Sequence, residues 1–363
     1  AEMIPMADSV ISFGNSGSDA NDTHIKLLRY YHEAIGKPER RKIISRERSY
    51  HGVTVAAASL TGLPVTQNHF DLPVDALGIL RTDHPHYYRG KQGEETEDEF
   101  VDRIVGNLEA MIVAEGPETI AAFIAEPITG ASGVIVPPAG YYQKVQAVLN
   151  RYDIMFWADE VITGFGRTGS DFGCNTMGIE SPDMMTFAKQ LSSAYMPISA
   201  SAIRRDMYDA MIDQTANAGA FGHGYTYSGH PVACAVALKV LEIYQRDQIF
   251  EKAAKTGAYL QQRLASFADH PLVGEVRGSG LLGALELVAN KETGEAFVGG
   301  AVGGYAQKMA QDNGLLIRAV AGSSLGICPP LIITEQQIDE MVGKLSKALD
   351  ATLEHCTKQG LLT

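Results

Sequence analysis

An aspartate and a lysine each stand directly after an apolar run that has the length of a buried strand. The run over residues 154–158 ends in Asp159, and the run over residues 183–188 ends in Lys189. Apolar strands of this kind are typical of parallel sheets, whose functional groups lie beyond the carboxyl ends of the strands. Pyridoxal phosphate (PLP) has a basic ring nitrogen that pairs with an acid and an aldehyde that bonds to an amine. The two residues therefore predict a PLP site, although each alone also fits a structural role, as a turn former or a solvated charge.

A second candidate is the glycine-containing turn between a short strand, Val10–Phe13, and a helix that is predicted from about Asp19 to Ile35. The turn reads Gly-Asn-Ser-Gly-Ser over residues 14–18. Backbone amides at a helix N-terminus, together with the positive end of the helix dipole, bind anions such as phosphate. Ser18 either caps this helix or bonds a phosphate oxygen, and the residues alone leave both roles open.

Two further candidates also follow predicted strands. Tyr50 comes after the strand Lys42–Arg46, and Glu126 ends the apolar strand over residues 119–125. Tyr50 can stack on a flat ring, or it can lie half-buried as an ordinary aromatic residue. The carboxyl ends of parallel strands share one edge of a sheet, so we expect five candidates together at that edge: Ser18, Tyr50, Glu126, Asp159 and Lys189.

The elements that position these residues alternate between apolar strands and helices. This alternation predicts an α/β fold with a mostly parallel sheet and helices on both of its faces. A large domain is predicted over residues 1–250 and a smaller α+β domain over residues 251–363. In the smaller domain, Arg318 is predicted to end a strand over residues 315–318. Its planar guanidinium suits a carboxylate ligand, and a salt bridge at the sheet rim is the alternative.

The composition excludes several classes of function. The chain has 363 residues, 45% of them hydrophobic, and a net charge of −13, which argues against nucleic acid or an anionic membrane as partner. It contains no run of eighteen apolar residues that would cross a membrane. The four cysteines are far apart and lack metal or redox spacing, so we expect a reduced, cytoplasmic protein.

Seven motifs in order make the chain resemble the class III aminotransferases, a PLP-dependent family of transferase fold type I. The resemblance covers nearly the whole chain and rests on residues 15–20 (NSGSDA), 49–54 (SYHGVT), 126–128 (EPI), 159–169 (DEVITGFGRTG), 187–191 (FAKQL), 222–231 (GHGYTYSGHP) and 276–281 (VRGSGL). It implies a PLP site made of Gly17, Ser18, Tyr50, His51, Glu126, Asp159, Val161, Lys189 and Thr226.

The resemblance also implies a role for each part of this site. Lys189 would hold the cofactor aldehyde and act as the catalytic base, and Asp159 would pair with the ring nitrogen. Gly17 and Ser18 would bind the phosphate. No metal ion is expected.

Other residues would hold the ring and complete the site from a second subunit. Tyr50 would stack on one ring face and Val161 would pack on the other. Glu126 would hold in place the residues that contact the ring. Thr226 would reach the phosphate of the neighbouring subunit. The resemblance therefore implies a homodimer with a shared active site, or a tetramer built from such dimers.

Two departures from the family pattern limit the choice of keto acid acceptor. Members that use 2-oxoglutarate carry a glutamate and an arginine at the positions that Ala131 and Gly326 occupy in this chain. Arg318 stands upstream instead, which resembles the omega, or amine:pyruvate, aminotransferases. A mobile Arg318 would bind the carboxylate of the acceptor and leave the site open to donors without one.

We therefore expect an aminotransferase that moves an amino group from a primary amine or omega-amino acid to a keto acid, pyruvate. The alternatives are a PLP-dependent aminomutase or decarboxylase of the same fold, or a non-catalytic binding protein of that fold. The family also has an N-terminal segment ahead of the strand at Val10 that this sequence does not contain, and we expect PLP to bind poorly without it.

Overall fold

The computed structural model describes residues 1–363, with residue 218 described by its backbone alone. The chain forms two compact units. The first comprises residues 1–127, 137–165 and 172–247, and the second comprises residues 128–136, 166–171 and 248–363. Two short inner segments thus group with the second unit, whereas the predicted division at residue 250 assigns them to the first.

The first unit is built on a seven-stranded, mostly parallel sheet, as the sequence predicts. Its strands are β1 Ser9–Gly14, β2 Lys42–Arg46, β3 Ile79–Thr82, β4 Ile120–Ala125, β5 Met155–Asp159, β6 Met184–Phe187 and β7 Ser199–Arg204. Their order is β1-β7-β6-β5-β4-β2-β3, and β7 runs antiparallel to both of its neighbours. The other six strands share one direction, so their carboxyl ends lie at one edge of the sheet.

Helices cover both faces of this sheet. They are α1 Gly17–Ala34, α2 Val55–Leu60, α3 Tyr87–Gly90, α4 Glu97–Glu115, α5 Tyr141–Arg151, α6 Gly173–Met177, α7 Arg205–Ala218 and α8 Pro231–Arg246. Helix α7 was not predicted from the sequence. The helix forms because Met207 and Met211, one turn apart, are buried in the core cluster beside the sheet.

Helix α1 is the element that connects the sheet to the candidate site. Leu28, on its inward face, is 1% exposed and belongs to the same core cluster as Ile124 on β4 and Trp157 on β5. Burying one such leucine stabilises the fold by roughly 1.5–3 kcal/mol. The packing therefore fixes the N-terminus of α1 beside the carboxyl edge of the sheet.

The second unit is an antiparallel sheet with three helices. Its strands are β8 Val273–Ser279, β9 Leu282–Asn290, β10 Glu295–Ala296, β11 Arg318–Val320 and β12 Ser324–Ile327, and its helices are α9 Ile249–Ala265, α10 Ala301–Asp312 and α11 Glu335–Gln359. Among the described residues of the whole chain, no helix combines the length and apolarity that a membrane span requires.

The predicted strand over residues 315–318 is wrong in its bounds. Arg318 begins β11 rather than ending a strand, and it lies opposite Gly326 of β12. The reason lies at the end of α10, where the amide of Leu315 still donates to the carbonyl of Ala310 at 2.9 Å. Leu315 therefore belongs to the turn that follows α10, and the strand starts later.

Candidate active site

One cavity in the first unit brings together eight of the residues that the sequence analysis selected. It has a volume of about 400 Å³ and lies at the carboxyl edge of the sheet, lined in part by Gly17, Ser18, Tyr50, His51, Glu126, Asp159, Val161 and Lys189. These residues come from five separate strand ends along 173 positions of sequence, 17 to 189. The parallel sheet is what assembles them.

Asp159, the last residue of β5, is 3% exposed and accepts three hydrogen bonds. Its Oδ2 accepts from His51 Nδ1 at 2.8 Å and from Asn21 Nδ2 at 3.1 Å, and its Oδ1 accepts from the Val161 amide at 3.2 Å. An ionised carboxylate is an acceptor-only group, so the proton between the pair lies on His51 Nδ1. The three donors hold this carboxylate at the cavity wall.

The other ring nitrogen of His51, Nε2, is buried and has no hydrogen-bond partner among the described residues. The histidine as a whole is 2% exposed and lines the cavity. A buried polar atom without a partner is rare in proteins and marks the place of a missing polar group or water. His51 is therefore suited to meet a polar ligand in this cavity.

The N-terminus of α1 forms an anion-binding corner of the cavity. Ser16 is the N-cap, and its hydroxyl accepts from the Asp19 amide at 3.3 Å. The amides of Gly17 and Ser18 lie in the first turn of the helix, where backbone amides have no intrahelical acceptor. They are therefore suited to bind phosphate. Of the two roles left open for Ser18, the capping role is wrong, because Ser16 already fills it.

Ser18 instead connects the helix to the loop after β2. Its Oγ accepts from the Val53 amide at 3.1 Å. Gly52 makes this approach possible, since it has a φ of +134° and a Cβ there would lie 2.5 Å from Ser18 Oγ. Gly17 has a similar function on the other side, where a Cβ would lie 3.0 Å from Val161 Cγ2.

Tyr50 is held in place by Glu126. Glu126 Oε1 accepts from the Tyr50 amide at 2.9 Å. The carbonyl of Glu126 in turn accepts from Arg46 Nη2 and from the Tyr142 hydroxyl, both at 2.6 Å. Arg46 was not among the residues selected from the sequence, where its only signal is its place at the end of an apolar strand. In the structure it is fully buried, and a buried charge needs partners.

Lys189 follows β6 and has a strained backbone. Its φ is +34°, in the left-handed region that residues other than glycine rarely adopt, and its side chain is exposed at the cavity. Such strain costs about 1–3 kcal/mol and concentrates at functional sites. The turn is anchored by the hydroxyl of Tyr244 on α8, which donates to the Gln190 carbonyl at 2.9 Å.

Thr226 does not line this cavity. It lies in the exposed loop between α7 and α8, next to Tyr225, whose hydroxyl donates to the Asp19 carbonyl at 3.2 Å. His223 of the same loop contacts Thr23 of α1, with 2.8 Å between Nε2 and Oγ1. The loop thus lies along α1, and the role of Thr226 toward a second subunit stays a prediction.

Arg318 belongs to the second unit, where its side chain is exposed. Among the described residues it has no ion-pair partner, so the predicted alternative of a rim salt bridge is absent from this structure. Gly326, its partner across the strand pair, leaves space beside it, since a Cβ there would meet no atom closer than 3.7 Å.

The cavity fits PLP in its chemistry. An acidic side chain, an amine and a helix N-terminus lie around one space, and they match the ring nitrogen, the aldehyde and the phosphate of that cofactor. The glycines that leave room at the phosphate corner, Gly17 and Gly52, support the same assignment.

The sequence is similar to transaminases along most of its length. Residues 1–349 match the model of the Aminotransferase class-III family. The chain is 49% identical over 341 residues to gamma aminobutyrate transaminase 3, chloroplastic, of Solanum lycopersicum, and this match covers 94% of the chain and 65% of that relative. It is 44% identical over 359 residues to the diaminobutyrate–2-oxoglutarate transaminase of Halomonas elongata, covering 98% of the chain and 76% of that protein. The chain therefore spans about two thirds of the length of the tomato relative.

Solved structures of transaminases have the same fold. A transaminase with L-alanine has a TM-score of 0.95 at 50% identity, over 98% of this chain and 83% of that one. The omega transaminase from Pseudomonas jessenii in complex with PMP has a TM-score of 0.94 at 49% identity, over 97% of this chain and 77% of that one.

Proposed function

Since the chain belongs to the class III aminotransferase family, a PLP-dependent family, we propose that it transfers an amino group from a primary amine or omega-amino acid to pyruvate. The observation that carries the proposal is the cavity in which Lys189 and Asp159 lie together at the carboxyl edge of the sheet. The lysine offers an amine for an aldehyde, and the aspartate offers a carboxylate for a ring nitrogen.

Each residue of the cavity has a defined task in this proposal. Bound PLP supplies an electron-accepting ring that stabilises negative charge at the substrate carbon. Lys189 Nζ removes the proton from that carbon and returns it at the neighbouring position, as a general base and then a general acid. The Asp159 carboxylate holds a proton on the ring nitrogen. The amides of Gly17 and Ser18 bind the phosphate and so fix the position of the ring.

Pyruvate as the acceptor rests on three residues and one relative. Ala131 and Gly326 stand where 2-oxoglutarate-dependent members carry glutamate and arginine, and Arg318 has an exposed guanidinium without an ion-pair partner among the described residues. The transaminase with L-alanine supports the choice, because L-alanine is the product of pyruvate amination. The relative named for 2-oxoglutarate supports the opposite choice, so the acceptor must be tested.

An activity panel of amine donors against keto acid acceptors tests the proposal. We expect the PLP-loaded protein to form L-alanine from pyruvate with either of two amine donors, 4-aminobutyrate or a primary amine without a carboxylate. A preference for 2-oxoglutarate would contradict the acceptor. Release of CO2, or a rearranged product without any acceptor, would instead identify a decarboxylase or aminomutase. Binding of PLP without turnover would identify a non-catalytic binding protein.

We predict that Arg318→Ala slows the half-reaction with pyruvate and leaves unchanged the half-reaction with an amine that has no carboxylate. A charged, bidentate contact to a carboxylate in a partly desolvated pocket contributes about 2–4 kcal/mol, so kcat/KM for pyruvate should fall roughly 30- to 1000-fold. An amine substrate without a carboxylate has no group for the guanidinium to bind. Stopped-flow measurement of the two half-reactions separates the effects.

Arg318→Lys is the matched control for this prediction. It retains the positive charge but loses the planar, bidentate geometry, so its loss with pyruvate should lie between those of wild type and Arg318→Ala. Equal losses in both half-reactions would mean that Arg318 supports the site rather than the substrate.

We also propose a homodimer in which Thr226 completes the partner's phosphate site. The loop that carries Thr226 is exposed, and its neighbours include large exposed apolar side chains, Tyr227 at 66% and Val232 at 54%. We expect the active species to sediment as a dimer or larger. Mixing an inactive Lys189→Ala protein with an inactive Thr226 variant should restore activity in mixed dimers. A catalytically active monomer would contradict this site.

A cytoplasmic location forms part of the proposal. All four cysteines are free in the structure, and a reducing compartment preserves free thiols.

A further inference from the structure

A chain of buried hydrogen bonds leads from the interior of the sheet to Asp159. Trp157 Nε1 donates to Thr186 Oγ1 at 2.8 Å, and Thr186 Oγ1 donates to Asn21 Oδ1 at 2.7 Å. Asn21 Nδ2 then donates to Asp159 Oδ2 at 3.1 Å and to the His51 carbonyl at 2.6 Å. Trp157, Thr186 and Asn21 are all 0% exposed.

The direction of this chain follows from its first member. An indole nitrogen donates and cannot accept, so the Thr186 hydroxyl accepts from Trp157 and donates its own single proton to another group. That group is Asn21, and the atom that accepts the proton must be its carboxamide oxygen. The carboxamide of Asn21 is thereby oriented with its amino group toward Asp159, which as a carboxylate can only accept.

The fold fixes the positions of the four residues. Trp157 and Asp159 are two residues apart on β5 and thus face the same side of the sheet, and Thr186 lies directly beside Asp159 on β6. Asn21 is on α1, which packs on this side. The chain crosses a helix–sheet interface where apolar residues are the norm, and polar groups buried there are costly unless every partner is present.

We propose that Asn21, oriented by Thr186 and Trp157, is a positioning residue that aligns the Asp159 carboxylate for the ring nitrogen of the cofactor. This inference rests on the proposed function, which supplies the cofactor. If the hydroxyl of Thr186 is lost, the Asn21 oxygen loses its donor, and only the contacts of its amino group with Asp159 and the His51 carbonyl remain. The carboxamide is then held at one end only, and its hydrogen bond to the Asp159 carboxylate weakens.

Other ionisable groups face Asp159 from the elements around it. His51 contacts it from the loop after β2, and Lys189 and Glu126 line the same cavity from the ends of β6 and β4. His24 lies on α1 with its ring centroid 5.0 Å from that of Trp157, and burial lowers the pKa of His24 to about 4. His24 is therefore neutral at physiological pH and has one ring N–H, which donates from Nε2 to the Met185 carbonyl at 3.1 Å, so His24 does not replace Asn21 as a donor to the carboxylate.

The test compares Thr186→Val with Thr186→Ser in the PLP-loaded protein. The first variant keeps the shape of the side chain and removes the hydroxyl, whereas the second keeps the hydroxyl. We expect Thr186→Val to leave PLP bound and to lower kcat roughly 10- to 100-fold, the effect of losing one hydrogen bond to a charged group. The 15N chemical shift of ring-labelled PLP should show the ring nitrogen losing its proton at a pH about one unit lower or more. Thr186→Ser should behave like wild type in both measurements.

A second variant covers the case in which Thr186→Val does not fold, as circular dichroism would show. Trp157→Phe removes the first donor and frees the Thr186 hydroxyl, so the ring nitrogen should again lose its proton at lower pH. An unchanged ring proton in the folded variants would overturn the inference. Equal effects of Thr186→Val and Thr186→Ser would also overturn it, because packing rather than the hydroxyl would then matter. The outcome is separable from the proposed function, which fails if wild type binds PLP but transfers no amino group.

Discussion

Lys189→Ala is expected to abolish amino transfer, with a loss of at least roughly 10⁴-fold in kcat. The lysine is both the amine that holds the cofactor and the base that moves the substrate proton, and general acid–base catalysis alone contributes about 10²- to 10⁴-fold. The change should leave the fold intact. Lys189 is exposed, and alanine has the same Cβ in the same left-handed backbone conformation, so the strain is unchanged.

Two measurements check this expectation beside the assay of transamination. Borohydride reduction followed by mass spectrometry should find PLP attached to wild type and absent from the variant. Thermal unfolding of the two apoproteins should coincide. Lys189→Arg is the matched control, since it keeps a positive charge but offers no amine to an aldehyde. Transamination that survives in Lys189→Ala would refute the assignment of the site.

The position of this lysine shows what the sequence alone can predict. Lys189, Asp159, Glu126, Tyr50 and Ser18 each follow a strand, and the rule that parallel strands end at one edge is enough to bring them together. The strands themselves are predictable because short, continuous apolar runs are typical of buried parallel strands in an α/β protein. The cavity was thus predictable from local patterns and one topological rule.

The contacts behind the cavity were not predictable in the same way. Asn21 is one of several polar residues on α1, and nothing in its own stretch of sequence indicates that it meets Thr186, 165 positions away. Its signal is weak: Asn21 and His24 are three apart, so two polar residues occupy the buried face of an amphipathic helix. The helical periodicity can predict that Asn21 and His24 face inward, but the residue that each of them contacts depends on tertiary packing.

Two other differences have local causes. Ser16 and Ser18 are equally good caps by residue type, and the choice depends on where the helix begins, a boundary that patterns fix within a few residues. The strand with Arg318 starts later than predicted because Leu315 is hydrogen-bonded into the turn that follows α10. Apolar residues after a helix look like a strand, although here Leu316 is 84% exposed and lies outside β11.

Asp159→Asn is expected to keep the cofactor bound and to lower kcat by roughly 10²- to 10³-fold, the typical effect of removing one electrostatic contact to a charge that develops during reaction. The carboxylate holds the proton on the ring nitrogen, and a neutral carboxamide cannot do so. The charge matters most when the substrate carbon is deprotonated, so kcat should fall more than affinity.

The geometry predicts which way the introduced carboxamide will turn. Two donors, Asn21 Nδ2 and His51 Nδ1, converge at the Oδ2 position, whereas the Val161 amide alone reaches Oδ1. The carbonyl oxygen should therefore occupy the Oδ2 position, and the amino group the Oδ1 position. If that amino group met the ring nitrogen it could only donate, and it would stabilise the nitrogen without its proton.

Two measurements distinguish this role from a structural one. The 15N shift of ring-labelled PLP in Asp159→Asn should be that of an unprotonated nitrogen across the range from about pH 6 to 9. A substrate deuterated at the reacting carbon should show a larger isotope effect on kcat than in wild type, because proton removal has become slower. Asp159→Glu is the matched control: it retains the charge on a longer side chain and should recover part of the ring protonation. An unchanged kcat in Asp159→Asn would mean that Asp159 positions His51 and the loop after β2, and that the ring nitrogen needs no acid.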